Sequence, residues 1–218
     1  MISEGAFHKS LFVCCAEAFF FISDSQTQTF EEMMSMAGCD VLEIYRAVGT
    51  FMVFDSCMPL PLRRHFIDIE VDIISRIAWK NARALESYQN AISSDKENMI
   101  SSDHRMQEMP LNNQFFNRVL LYAATQMYHL CNGLPITDDL MEYMWAVLKF
   151  IMTQKLELLR NRHLDQMVFC TIYCVSKLFK VQLKFQDIIN KYVYSDIGSR
   201  NCLSPTKLEL TRLYMRFC

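Results

Sequence analysis

Apolar residues recur every three or four positions along most of this chain. In the segment 62–79 they fall at Phe66, Ile69, Ile73, Ile74 and Ile77. A period of about 3.6 residues predicts amphipathic helices that bury one face. We find no run of alternating apolar and polar residues typical of a strand. The pattern therefore predicts an all-α fold.

Helix-start signals divide the pattern into elements. A capping side chain and a glutamate three residues later can each accept a bond from an amide that the first helical turn leaves unpaired. The candidate N-caps are Thr29 with Glu32, Asp40 with Glu43, then Thr137, and Ser204 before Pro205. Beyond the segments that begin at these first two caps, helices are predicted at 7–22, 62–79, 115–131, 138–152, 155–160, 163–179, 185–192 and 205–216.

A polar, aperiodic stretch separates two helical regions. It runs from about residue 91 to 109 and holds most of the Ser, Asp and Asn of the middle of the chain. Such a composition is typical of a linker. The sequence thus predicts a helical region at 1–90, a linker at 91–110 and a second helical region at 111–218.

The charge and hydropathy of the chain argue against nucleic-acid binding and against membrane association. The net charge of −2 leaves no excess of basic residues to neutralise a phosphate backbone, so direct binding to nucleic acid is disfavoured. The apolar run 11–22 is interrupted by Glu17, and no stretch reaches the roughly 20 apolar residues that span a bilayer. We expect no membrane association.

The nine cysteines follow no regular Cys-x-x-Cys pattern. We expect a reducing compartment, with most cysteines acting as small buried apolar residues. Cys170 and Cys174 have a spacing that could present two metal ligands, but no second pair accompanies them. We therefore predict no metal site, with this pair in the core, and no cofactor.

Catalytic signatures are not found. The five histidines are scattered, and the sequence contains no Gly-rich phosphate loop, no His-Glu-x-x-His and no local signature of an activated nucleophile. We predict that the protein is not an enzyme.

The stretch most characteristic of a known protein family begins at Asn161-Arg162-His163-Leu164-Asp165-Gln166 and continues to Lys177. It resembles the B-box helix of the retinoblastoma family, where Arg-His-Leu-Asp-Gln leads into Cys-x-x-Tyr-x-x-x-Lys. The segment 183–189 is similar to the next helix of that box, and 115–119 to an earlier one.

The first half of the chain resembles the same family independently. The segment 7–17 is similar to a late A-box helix, and 65–79 to the closing A-box helix with its terminal Ala-Trp. The resemblance covers roughly 6–85 and 112–195. It implies cyclin-like helical boxes, with a partial A box in 1–90 followed by a B box in 111–218.

The resemblance also implies a function. Pocket proteins of this family are nuclear, non-enzymatic scaffolds that hold transcription factors, recruit chromatin regulators and repress cell-cycle genes. Their B-box groove receives peptides of the form Leu-x-Cys-x-Glu. Tyr173, Lys177 and Phe185 match family groove positions, and Tyr214 is a loose counterpart of a fourth. Gln186 stands where the family has a basic residue, and a family asparagine beside the Tyr214 position is missing.

A second family site, between the boxes, binds transcription factors of the E2 factor family. Arg64, Glu70 and Arg118 match charged positions of that site. Other charged positions of the family site are replaced here, and the early A-box helices have no counterpart. We therefore expect this site to be weakened or incomplete.

Two alternatives remain open at this point. The helical boxes also suit a cyclin-like regulatory subunit of a kinase. A truncated pocket remnant, with folded helices and a degraded groove, is the other alternative.

Overall fold

The computed structural model describes residues 4–25, 28–54, 58–80, 85–86, 88–90 and 111–197. These residues contain no β-strand, which confirms the all-α prediction. The helices are α1 Glu4–Ile22, α2 Phe30–Ala37, α3 Val41–Phe54, α4 Leu60–Ser75, α5 Leu111–Cys131, α6 Asp138–Gln154, α7 Leu164–Leu178 and α8 Phe185–Ile197. Two short 3-10 helices cover Ile77–Lys80 and Leu156–Leu158. The predicted linker and the predicted last helix lie outside the described residues.

The predicted N-caps at Thr29 and Thr137 are confirmed. Thr29 Oγ1 accepts from the Glu32 amide at 3.3 Å, while a Glu32 carboxylate oxygen accepts from the Thr29 amide at 2.8 Å. Thr137 Oγ1 accepts from the amide of Leu140 at 3.4 Å. Asp40 also caps its helix, but its carboxylate accepts from Leu42, at 2.9 Å, rather than from Glu43.

The prediction of a single helix over 62–79 is wrong, because the α-helix ends before Arg76. The α-helix ends at Ser75, and Arg76 has φ −135°. Its guanidinium donates hydrogen bonds to Asp72 on the same helix and to Glu31, 45 positions earlier. The 3-10 helix that follows turns Trp79 into the core, where it is fully buried.

The helix predicted for 155–160 is also wrong, since only the 3-10 helix Leu156–Leu158 forms there. Asn161 then takes a left-handed conformation with φ 57°, a conformation that asparagine tolerates better than most residues. Its amide donates to the carbonyl oxygen of Trp79 at 2.9 Å. This bond between distant segments favours a turn over a continued helix.

The described residues form two compact units. Unit 1 consists of residues within 1–122 and 152–164, and unit 2 of residues within 123–151 and 165–218. In unit 1, α1 packs against α2 and α3, and α3 packs against α4. The fully buried side chains of unit 1 include Ile44, Phe66, Ile73, Ile74, Trp79, Tyr88 and Phe115.

By length and composition alone, α1 could cross a membrane over Gly5–Ile22, where the mean hydropathy is 1.4. A helix packed within a water-soluble protein meets the same criterion. Glu17 lies in the middle of this segment, buried, with its carboxylate 2.6 Å from His65 Nε2. Phe21 stacks on the same imidazole, 4.2 Å between ring centroids. These contacts connect α1 to α4 within unit 1.

The core of unit 2 is built from the inner faces of four helical segments. Its fully buried side chains include Leu130, Met144, Leu148, Phe169 and Ile172. Asp165 and Tyr192 are buried with them and joined by a hydrogen bond, in which the phenol donates to Asp165 Oδ2 at 2.6 Å. The ring of Tyr192 also meets Phe169 edge to face, 4.8 Å between centroids. Both contacts connect α8 to α7.

Candidate functional site

The helix α7 has two different faces. Leu164, Val168, Ile172 and Val175 are buried, at the spacing expected of a helix that packs on a core. Lys177 is exposed and Tyr173 half-buried on the opposite side. Because these two residues are four positions apart, they lie one turn apart on the same face.

Three of the four predicted groove residues come together in unit 2. The rings of Tyr173 and Phe185 meet edge to face, with centroids 5.4 Å apart and an interplanar angle of 84°. The Lys177 ammonium lies 5.2 Å from the centroid of the Tyr173 ring, within the range of a cation–π contact. The fourth predicted residue, Tyr214, lies outside the described residues.

The connection between α7 and α8 determines where Phe185 lies. The helix α7 ends in a turn closed by a bond from the Val181 amide to the Ser176 carbonyl, 2.9 Å, with Lys180 left-handed at φ 58°. The next helix starts at Phe185, where Asp187 accepts a bond from the Lys184 amide at 3.0 Å. The Asp165–Tyr192 hydrogen bond connects the two helices at the start of α7 and in the second half of α8.

The chemistry of this surface suits an extended acidic peptide. Tyr173 and Phe185 offer aromatic surface, while the ammonium of Lys177 can donate to a backbone carbonyl or a carboxylate. Lys177, Lys180 and Lys184 are all exposed, and no acidic residue occurs between 177 and 184. Gln186 stands where the family it resembles has a basic residue, and its side-chain amide donates a hydrogen bond to Asn190 Oδ1 at 3.0 Å.

Two residues of the second predicted site also meet. Arg118 Nε lies 3.2 Å from Glu70 Oε1 and connects α5 to α4 within unit 1. Tyr45 is close to this pair: burial chiefly, and then the charge of Glu70, raise the pKa of its phenol, while Arg118 lowers it. Tyr45 also meets Phe115 edge to face, 5.1 Å between centroids. Arg64 is exposed on α4 and takes no part in the ion pair.

The expectation that most cysteines are buried is wrong for part of the set. Cys14 and Cys131 are buried, but Cys15, Cys170 and Cys174 are exposed. The helical period could have placed the last two correctly. With positions 168, 172 and 175 facing the core, positions 170 and 174 fall on the opposite face of α7.

Among the residues that the structure describes, no three His, Cys, Asp or Glu side chains are grouped closely enough to hold a metal ion.

Comparisons with known proteins match both halves of the chain. The model of the retinoblastoma-associated protein A domain matches residues 1–88, and that of the B domain matches residues 111–210. Retinoblastoma-like protein 2 of Homo sapiens is 34% identical over 96 residues, which are 44% of this chain. A retinoblastoma-related protein of Cocos nucifera is 34% identical over 80 residues, or 37% of the chain. In both relatives the matched segment spans only 8% of their length.

Proposed function

This chain belongs to the retinoblastoma family, and from that premise we propose that it is a non-enzymatic protein-binding domain that captures Leu-x-Cys-x-Glu-type peptides. Its A and B domains are cyclin-like helical boxes, which we assign to 1–90 and 111–218, with a linker at 91–110. In the cell it acts in the nucleus, where it recruits chromatin regulators to repress the transcription of cell-cycle genes.

The observation that carries this proposal is the contact of Tyr173 with both Phe185 and Lys177. A degraded groove would have no reason to keep an aromatic pair and an ammonium together on an exposed helix face. The same three residues would have no purpose in a regulatory subunit of a kinase. Their arrangement therefore favours a peptide-binding pocket over both alternatives.

The physical basis of binding has two parts. The aromatic pair removes apolar side chains of the peptide from water, at about 25 cal/mol for each Å² of apolar surface buried. Lys177 adds a charge-assisted hydrogen bond, worth about 1.5–3 kcal/mol. Loss of that bond corresponds to a decrease in affinity of roughly 10- to 150-fold.

A titration of the full chain with a labelled Leu-x-Cys-x-Glu peptide tests the proposal. We expect saturable binding that Lys177→Ala weakens by at least about tenfold. Lys155→Ala is the matched control, because Lys155 is an exposed lysine of unit 1, outside the groove. The control should leave affinity unchanged. No binding by the unmodified chain, with the fold intact by circular dichroism, would overturn the proposal.

A second part of the proposal concerns transcription factors of the E2 factor family. Arg64, Glu70 and Arg118 are the residues we assign to it. The support is the convergence of Glu70 and Arg118, together with Tyr45, on one surface of unit 1. Because the ion pair satisfies both charges within the chain, a partner must compete with it, and we expect this site to bind more weakly than the groove.

A transcription-factor activation peptide tests this second site separately. Arg118→Ala should weaken its binding without changing the affinity for the Leu-x-Cys-x-Glu peptide, while Lys177→Ala should do the reverse. If Arg118→Ala affects neither ligand, or both equally, the assignment of a separate second site is wrong.

A further inference from the structure

The exposed face of α7 carries two cysteine thiols beside the groove residues. Cys170 and Cys174 are both exposed and form no disulfide. Cys170 precedes Tyr173 by three positions, and Cys174 precedes Lys177 by three, so both thiols share the helix face of the groove residues. A group attached to Cys170 would lie next to Tyr173, and a group attached to Cys174 would lie next to Lys177.

Both thiols are accessible to a small molecule, and thiol–disulfide exchange requires such access. Cys14 and Cys131 are the contrasting cases, because burial raises the pKa of Cys14 to about 12 and that of Cys131 to about 11. These two thiols stay protonated and shielded.

The two exposed thiols are not placed to bridge each other. Residues four apart on a helix have Cβ atoms about 5–6 Å from each other. A disulfide needs a Cβ–Cβ distance of roughly 3.5–4.5 Å. An internal bridge would therefore require α7 to unwind, and the favoured reaction is with the sulfur of another molecule.

We propose that Cys170 and Cys174 form reversible mixed disulfides with a small disulfide such as oxidised glutathione, and that these adducts close the peptide groove. The proposal rests on the function proposed above. A cysteine thiolate attacks one sulfur of the small disulfide, a new S–S bond forms, and the old S–S bond breaks. The released thiolate takes a proton from water. The protein thiol is oxidised, half of the small disulfide is reduced, and excess thiol reverses the exchange.

The adduct opposes peptide binding in two ways. It places a bulky group next to the aromatic surface of Tyr173. A glutathionyl group also brings a net negative charge towards Lys177, whose ammonium then has an attached acidic partner. An acidic peptide loses both its space and its charge-assisted bond.

The experiment treats the full, folded chain with oxidised glutathione, removes the excess, and locates adducts by peptide mass spectrometry. Affinity is then measured with a peptide whose cysteine is replaced by the isosteric 2-aminobutyrate, so that the ligand takes no part in exchange. We expect adducts at Cys170 and Cys174, and affinity lowered by about tenfold or more. Dithiothreitol should restore it.

Serine variants separate this effect from modification elsewhere. The double variant Cys170→Ser with Cys174→Ser should bind peptide normally and no longer respond to oxidised glutathione. Cys15→Ser is the matched control, because Cys15 is also exposed but lies on α1 of unit 1. That control should keep the full response.

The outcomes distinguish the two proposals. If the reduced chain binds no peptide, the proposed function fails and the closing of the groove fails with it. If the reduced chain binds but Cys170 and Cys174 acquire no adduct, only the present proposal is overturned. It is equally overturned if the adducts form at these sites and affinity does not change.

Discussion

Glu70 and Arg118, which the sequence assigns to one binding site on the strength of separate family positions, form an ion pair. Arg118 Nε lies 3.2 Å from one Glu70 carboxylate oxygen, and its Nη2 lies 3.5 Å from the other. The two residues are 48 positions apart and belong to α4 and α5. The pair therefore connects a segment matched by the A-domain model to one matched by the B-domain model, within unit 1.

The ion pair should contribute little to stability. The Glu70 side chain is only 12% exposed, but the Arg118 side chain is 47% exposed and stays solvated, so we expect the pair to contribute about 0.2–1 kcal/mol. A double-mutant cycle with Glu70→Gln and Arg118→Gln, followed by urea unfolding, measures the coupling energy. A coupling above about 2 kcal/mol would contradict this view and would mean that the pair is structural rather than available to a partner.

The hydrogen bond between Tyr192 and Asp165 should contribute more to the free energy of unfolding than the Glu70–Arg118 ion pair does. Both residues are buried, so Tyr192→Phe removes one donor from a carboxylate that water does not reach. We expect a decrease of about 1–3 kcal/mol in the free energy of unfolding. Peptide affinity should fall as well, because α8 carries Phe185.

Tyr143→Phe is the matched control for this substitution. Tyr143 loses the same hydroxyl group, but its side chain is 59% exposed on α6 of the same unit. Its stability should stay within about 0.5 kcal/mol of the parent chain. Equal effects of the two variants would show that the buried bond has no special role.

Glu31 should make unit 1 sensitive to acid. Burial alone would raise the pKa of its carboxyl group, but hydrogen bonds from Lys80 and Arg76 outweigh burial and lower it below the ordinary 4.5. A lowered pKa in the folded state gives stability that is present above pH 4.5 and is lost as the pH falls through the folded value. Glu31→Gln should therefore flatten the decline in stability below pH 4.5.

Thermal unfolding measures this decline when it is followed from about pH 3, below the ordinary pKa of carboxyl groups, to about pH 7, above it. Glu142→Gln serves as the control, since Glu142 is exposed and forms no ion pair among the described residues. The control should follow the parent chain. An unchanged acid slope in Glu31→Gln would show that the carboxylate is not held by its two cations.

The sequence correctly predicted features that depend on residues close together in the chain, such as helices and their caps. The helix predicted at 163–179 forms as Leu164–Leu178, and the four-residue spacing of Tyr173 and Lys177 places them on one face. The capping box at Thr29 forms as predicted, because its partners are three positions apart. The helical period also predicts that Cys170 and Cys174 are exposed. The prediction that they lie in the core was wrong because it relied on the apolar character of cysteine and not on this period.

Contacts between distant residues could not be predicted in the same way. The break after Ser75 depends on Arg76 reaching Glu31, and nothing in the periodicity of 62–79 reports that partner. The turn that follows the short 3-10 helix depends on a bond from the Asn161 amide to the carbonyl oxygen of Trp79, which lies 82 positions earlier in the chain. The contact of Phe185 with Tyr173 depends on the left-handed turn at Lys180, a conformation that lysine seldom adopts.

The central claim is that Tyr173, Lys177 and Phe185 form one peptide-binding surface. The most direct test is a heteronuclear NMR titration of the isotope-labelled chain with an unlabelled Leu-x-Cys-x-Glu peptide. We predict that the largest shift changes, under saturating peptide, fall on α7 and the start of α8, from Cys170 to Phe185. Shift changes confined to unit 1, or no changes with the fold intact, would contradict the claim.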